Sequence, residues 1–187
     1  MADTITKTVQ EAKKWTYKDY LKLDDDARYE IIDGELIMAP SPITNHQTVS
    51  KKVQHILYKL EEKGIGTVFN APLDVVFAEN QVVQPDIIFI LPENKKIIQE
   101  KGIFGSPDLV IEILSPSSAQ RDRDKKYHLY ERFGVKEYWI IDPLWHTVEI
   151  FVLENNIYQL HRFIEGEGVV QSRIIKEFEL DVQEIIE

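Results

Sequence analysis

Two carboxylates lie inside runs of residues that would otherwise be buried in a sheet. Asp86 sits in Gln84-Pro85-Asp86-Ile87-Ile88-Phe89-Ile90, and Glu112 in Asp108-Leu109-Val110-Ile111-Glu112-Ile113-Leu114. A buried carboxylate without a partner is costly. Two of them in adjacent strands call for something that compensates both charges, and a divalent cation is the simplest candidate. Strand alternation puts Val110, Glu112 and Leu114 on one face and Leu109, Ile111 and Ile113 on the other. In the helix that follows, Lys126, Leu129, Tyr130 and Phe133 fall at i, i+3, i+4 and i+7. Three of these four are apolar or aromatic, so the stripe should face the sheet and carry Lys126 inward with it. Lys125 falls instead with His128 and Arg132 on a more polar face.

The elements that must hold these residues can be read from punctuation and period. Thr16 caps a short helix through Leu23. Asp33-Gly34, between Tyr29–Ile32 and Glu35–Met38, is a hairpin signal. Its two-residue turn places Glu30, Ile32, Glu35 and Ile37 on one face. Pro40-Ser41-Pro42 breaks the chain before a helix from about Thr44 to Lys63, with Val49, Val53, Ile56, Leu57 and Leu60 as its buried stripe. Strands follow at Leu73–Phe77 and Val82–Ile90, then a polar segment from Asn94 to Lys101, then the strand Leu109–Leu114. The helix Ala119–Phe133 ends at Gly134, the usual cap. Strands at Glu137–Pro143, Val148–Leu153 and Ile157–His161 complete the order, the last two as a hairpin. This predicts an α/β to α+β fold with a mixed sheet and helices packed on it, most simply one domain over 1–187.

These segments in this order resemble a known family. Pro85-Asp86 followed by Glu112-Ile113-Leu114 is similar to the site of the PD-(D/E)XK nuclease superfamily, the restriction-endonuclease-like fold. More closely, Tyr29-Glu30-Ile31-Ile32-Asp33-Gly34-Glu35-Leu36, Pro85-Asp86, Val110–Ser118, Lys126-x-x-x-Tyr130 and Gly134-Val135-x-Glu137-Tyr138-Trp139-x-x-Asp142-Pro143 resemble the Uma2 family, formerly DUF820, over about residues 15 to 165. The superfamily pattern has a lysine two residues after the glutamate. Here that position is Leu114, and in the Uma2-like pattern the following helix supplies the lysine, which matches Lys126. The resemblance implies a metal-dependent endonuclease with a mixed central sheet and an N-terminal hairpin. Asp86, Glu112 and the backbone carbonyl of Ile113 would bind Mg²⁺ or Mn²⁺, and Lys126 would orient the nucleophile or stabilise the charge on phosphorus. Glu30 or Glu35 is a candidate additional carboxylate. The resemblance also implies a homodimer and a nucleic-acid substrate, DNA first.

The rest of the sequence bounds these expectations. Cysteine is absent, which excludes thiolate metal sites and cysteine nucleophiles and fits a reducing compartment. The segment Met1–Lys14 is polar, and no run is long and apolar enough to span a bilayer, so a cytoplasmic protein without a membrane partner is expected. The net charge of −10 counts against nucleic-acid binding through the overall field. Between Ser118 and Arg132, however, Arg121, Arg123, Lys125, Lys126 and Arg132 outnumber Asp122, Asp124 and Glu131, and a dimer would double this basic rim. His46 reads as a capping or packing residue of the long helix, and Lys51-Lys52 and Lys95-Lys96 as solvated. Two other readings stay open. One is a catalytically inactive binding or interaction protein on a nuclease scaffold, favoured by the acidity and by Leu114. The other is a hydrolase or transferase acting on a smaller phosphate ester.

Overall fold

The computed structural model describes residues 13–25, 27–39 and 41–186; most of the polar amino-terminal segment, together with Asp26 and Pro40, lies outside them. The first elements are α1 (Tyr17–Tyr20), β1 (Tyr29–Ile32), β2 (Glu35–Met38), α2 (Thr44–Glu62), β3 (Thr67–Asn70), β4 (Val75–Ala78), β5 (Gln81–Val83) and β6 (Ile87–Ile90). A 3₁₀ turn at Pro92–Ile97 leads to β7 (Ile98–Gln99), β8 (Gly102–Phe104) and β9 (Leu109–Ile113). One helical stretch follows in three parts: α3 (Ala119–Arg121), a π-helical segment Asp122–Lys126, and α4 (Tyr127–Phe133). The chain ends with β10 (Glu137–Asp142), β11 (Thr147–Glu154), β12 (Ile157–Glu165), β13 (Val169–Gln171), β14 (Glu179–Asp181) and α5 (Val182–Ile186).

Local chemistry explains the boundaries. Thr16 and Asp19 cap each other's backbone in a reciprocal capping box, so α1 starts as expected, though it closes at Tyr20. Asp33 and Gly34 both take positive φ, 52° and 77°, the conformation a two-residue hairpin turn demands. The pairs Glu30↔Ile37 and Ile32↔Glu35 confirm the face assignment of that hairpin. Gly134, at φ 79°, closes α4 in the left-handed conformation.

The expected strand Val82–Ile90 is in fact two strands in two different sheets. One sheet runs β2-β1-β5-β4-β8-β7 and the other β12-β11-β10-β9-β6-β3. The chain passes between them through Gln84-Pro85-Asp86. Proline offers no N–H to a ladder, so a strand cannot continue through it in a sheet interior. The polar stretch after β6 forms the 3₁₀ turn and leads into two short strands.

The second sheet is the centre of the molecule. It is mixed, with β9 and β10 parallel and its other pairings antiparallel. On one face, Ile87, Phe89, Leu109, Ile111, Ile113, Trp139 and Ile141 pack with Val49, Val53, Leu57 and Leu60 of α2 and with the β13–β14–α5 region. On the other face, Ile88, Ile90, Val110, Leu114, Tyr138 and Ile140 pack with Leu129 and Tyr130 of α4 and with Ile32, Val75 and Val83 of the first sheet. Glu112 belongs to this second face by alternation, between the two sheets. Among the described residues no helix is long and apolar enough to cross a membrane.

Candidate active site

Strand register brings the two opening carboxylates together. In the β6–β9 pair Ile87 faces Ile111, so one step outward sets Asp86 opposite Glu112. Facing residues of an antiparallel pair have Cβ atoms about 4.5–5.5 Å apart. Asp86 is fixed at the strand end by three bonds. Its Oδ2 accepts the Ile113 N–H at 2.8 Å and lies 2.9 Å from His46 Nε2, and its carbonyl accepts the Ala71 N–H at 3.1 Å. The backbone carbonyl expected to join a metal thus belongs to the residue whose N–H already holds Asp86.

Lys126 does point inward. It is 3% exposed, and its Nζ lies 2.9 Å from Glu112 Oε1, 2.9 Å from Glu30 Oε1 and 3.6 Å from Asp122 Oδ1. The π-helical winding of Asp122–Lys126 lies directly ahead of the Leu129–Tyr130 stripe; such bulges recur at functional sites. It leaves Asp122 and Lys126 both buried. The Tyr130 hydroxyl donates to Glu112 Oε1 at 2.6 Å. Glu30, 1% exposed, reaches in from the first sheet and also accepts the Gln84 N–H at 2.9 Å. Arg121 Nε stands 3.5 Å from Glu30 Oε2 and 4.0 Å from Asp122 Oδ1.

The structure therefore sorts the sequence candidates. Asp86, Glu112, Lys126 and Glu30 converge on one cleft of about 80 Å³, which Arg28, His46, Gln84, Ser115, Arg121 and Asp122 also line. Glu35 does not reach it; it sits on the surface, paired with Lys125 at 2.6 Å. His46 is buried but caps nothing, since its ring is bonded to Asp86. Leu114 is buried in the apolar core with Leu129 and Tyr130. Asp122, Arg121 and the Tyr130 hydroxyl were not picked out as site groups, although Asp122 lies four residues before Lys126 on the same stripe. The basic rim is largely neutralised: Arg123 pairs with Glu149, Lys125 with Glu35 and Arg132 with Asp33, while Arg121 and Lys126 face the buried acids.

The electrostatics follow from burial. Burial pushes the Glu112 carboxyl well above its ordinary range, against the pull of Lys126, with Asp122, Asp86 and Glu30 adding to the rise. Burial raises Asp122 as well, again opposed by Lys126. Burial alone would lower Lys126, but Glu112, Glu30, Asp122 and Asp86 hold its ammonium well above the usual lysine value. So the cluster favours a charged Lys126, and burial favours the neutral form of Glu112 and of Asp122. The cleft lining carries four carboxylates, Glu30, Asp86, Glu112 and Asp122, against Arg28, Arg121 and Lys126. That surplus is met by a proton or by a cation.

The fit to a metal can be judged on the donors. Asp86 Oδ1 and Glu112 Oε2 accept no hydrogen bond from the described residues, while the partner oxygen of each is anchored. Two such oxygens suit Mg²⁺, which keeps several waters and binds through one or two carboxylates. No group of three or more His, Cys, Asp or Glu among the described residues is arranged as an all-protein cage.

Comparison with known proteins now bears on this geometry. A family model described as Uma2, "Putative restriction endonuclease", matches residues 17–183. The chain belongs to the Uma2 family. The chain is also 26% identical over 145 residues to an uncharacterised protein, sll1609, of Synechocystis sp., covering 75% of this chain and 82% of that protein. Among solved structures, it is similar to a protein of Anabaena variabilis ATCC 29413 described as a "putative nuclease belonging to DUF820". That match has a TM-score of 0.76 at 23% identity and covers 91% of this chain and 97% of the other. At that identity it establishes the shared fold, which for this Uma2 chain is the mixed α+β architecture described above.

Proposed function

We propose that this protein is a metal-dependent endonuclease whose site is the Asp86–Glu112–Lys126 cluster. The observation that carries the reading is the convergence itself. Two carboxylates on adjacent strands, each with one anchored and one open oxygen, meet a buried lysine delivered by another element. Membership of the family described as "Putative restriction endonuclease" supports the reaction class, and restriction-endonuclease-like proteins generally use divalent metals.

Asp86 and Glu112 would hold Mg²⁺ or Mn²⁺, with the Ile113 carbonyl as a third oxygen. When bound, such an ion supplies Lewis-acid polarisation of a phosphodiester and a water of lowered pKa. The chain's own groups do the rest. His46 and the Ile113 N–H fix the Asp86 carboxylate in one orientation. Tyr130 and Lys126 fix Glu112. Lys126, held charged by Glu30 and Asp122, presents a preorganised cation where negative charge develops at phosphorus. Glu30 acts as a positioning residue for Lys126.

A second reading keeps one specific observation in its favour. Lys126 is fully engaged by carboxylates, and no three-residue metal cage exists among the described residues. Both features suit a nuclease scaffold retained for binding. The deciding assay incubates supercoiled plasmid and a labelled RNA with the protein, with and without Mg²⁺ or Mn²⁺. Metal-dependent cleavage that disappears in Asp86→Ala and Glu112→Ala supports the nuclease. No cleavage of any substrate, or cleavage that survives both substitutions, rejects it.

A further inference from the structure

The basic residues of the Arg121–Arg132 stretch are taken up by ion pairs, so they do not explain how an acidic protein would hold a polyanion. The solvent face of α2 does. The cleft described above is bounded by Gln47. Gln47 also lines a second depression, with Thr48, Lys51, Gln54 and Asn70. Lys51 in turn lines a third, with Lys52, His55, Ile56, Lys59, Glu184 and Ile185. Each hollow shares one lining residue with the next, first Gln47 and then Lys51, so the three follow one another along α2 from the mouth of the site. From Gln47 to Lys59 the helix rises about 18 Å at ~1.5 Å per residue. That matches roughly five nucleotide steps of a B-form strand at ~3.4 Å each.

The lining is one-sided in charge. Lys51, Lys52, His55 and Lys59 face a single carboxylate, Glu184, and Lys52 Nζ bonds the main-chain oxygen of Glu184 at 2.9 Å rather than its carboxylate. Neither Lys51 nor Lys59 makes an ion pair with a described residue, and both are exposed. Gln47, Thr48, Gln54 and Asn70 line the mouth with neutral polar side chains, of which Thr48, Gln54 and Asn70 already donate to Thr44 O, Ser50 Oγ and Ala71 O. Glu61 and Glu62 follow Lys59 and end the basic face.

We propose that this face of α2 is a phosphate track: one strand of the nucleic acid leaves the catalytic cleft past Gln47 and runs along the helix, its phosphates met by Lys51, His55 and Lys59. The proposal rests on the nuclease reading and names where its substrate lies. Contacts of this kind are independent of sequence and sensitive to salt.

The test uses the full chain and three probes: a fluorescein-labelled 20-base-pair DNA duplex, a single-stranded 20-mer, and bis(p-nitrophenyl) phosphate with Mn²⁺. The variants are Lys51→Ala/Lys59→Ala and, as a control off the track, Lys95→Ala/Lys96→Ala. The double track variant is expected to bind the preferred oligonucleotide about 10–100-fold more weakly, with the log–log salt slope reduced by about one unit per lysine. Hydrolysis of the small ester and the control variant should match wild type. If wild type binds and cleaves nucleic acid and the track variant does both equally well, the track is wrong and the nuclease reading stands. If wild type neither binds nor cleaves any probe, both fall.

Discussion

Lys126 Nζ and Glu112 Oε1 stand 2.9 Å apart, almost wholly withdrawn from solvent, although one comes from a helix and the other from the central sheet. Neither charge is tolerable there alone. Glu30 and Asp122 share the same ammonium, so its removal leaves three buried carboxylates, of which Arg121 is in ion-pair range of Glu30 and Asp122. Lys126→Met is therefore expected to lower stability by about 3–5 kcal/mol. Glu112→Gln, which keeps Lys126 paired with Glu30 and Asp122, should cost much less. Urea unfolding measures both; a Lys126→Met protein as stable as wild type would show that the cluster is not a buried ion network.

The raised carboxyls give a pH dependence with a definite sign. Glu112 and Asp122 have folded pKa values above their ordinary ones, so between those values the folded state binds more protons than the unfolded. Without metal, the stability these two groups contribute is fully present below the ordinary carboxyl range and is lost as pH rises through the raised values. Lys126 does not oppose this in that window, because its own raised pKa matters only above the ordinary lysine value of 10.5. Thermal unfolding followed upward from the ordinary carboxyl values of 4.5 and 3.8 should show the fall, and Glu112→Gln should reduce it. Added Mg²⁺ should stabilise more at the upper end, where its ligands are deprotonated. A wild-type curve as flat as that of the variant contradicts the assignment.

His46 holds Asp86 from behind while leaving Asp86 Oδ1 open. Partners of metal ligands are worth about 10–100-fold in metal affinity or activity. His46→Ala should therefore raise the metal concentration needed for half-maximal cleavage by that factor, with little change in the rate at saturating metal. Metal titration of the cleavage rate reads the split. An unchanged metal requirement would make His46 a packing residue, as its sequence position alone suggests.

Leu114 occupies the place where the superfamily pattern has its lysine, and it is packed with Leu129 and Tyr130. Introducing an ammonium there puts an unpaired charge into the apolar core. Leu114→Lys should destabilise by about 2 kcal/mol or more, and it should not restore activity to Lys126→Met. Recovery in the double variant would mean the two lysine positions remain interchangeable.

Much of this was legible in the sequence because it rests on short-range rules. The Asp33-Gly34 turn, the α2 stripe, the inward Lys126 and the Gly134 cap all follow from period and local backbone preference. Glu112 announced itself by lying in an apolar run. What escaped depends on three-dimensional pairing. Two sheets rather than one arise because Gln84-Pro85 redirects the chain. His46 meets Asp86 across forty residues, and Glu30 rather than Glu35 enters the site because β1 packs beside β5. Asp122 is legible too, since it lies four residues before Lys126 on the same stripe and is buried with it.

Whether Lys126 fills the role left open by Leu114 decides between a working nuclease and a nuclease scaffold. The direct measurement is the single-turnover rate of nucleic-acid cleavage at saturating Mg²⁺, comparing wild type with Lys126→Met, alongside Mn²⁺ binding by calorimetry. A loss of about 10²–10³-fold in rate, with an ion still bound through Asp86 and Glu112, is the expected result. Cleavage by Lys126→Met at the wild-type rate would contradict it.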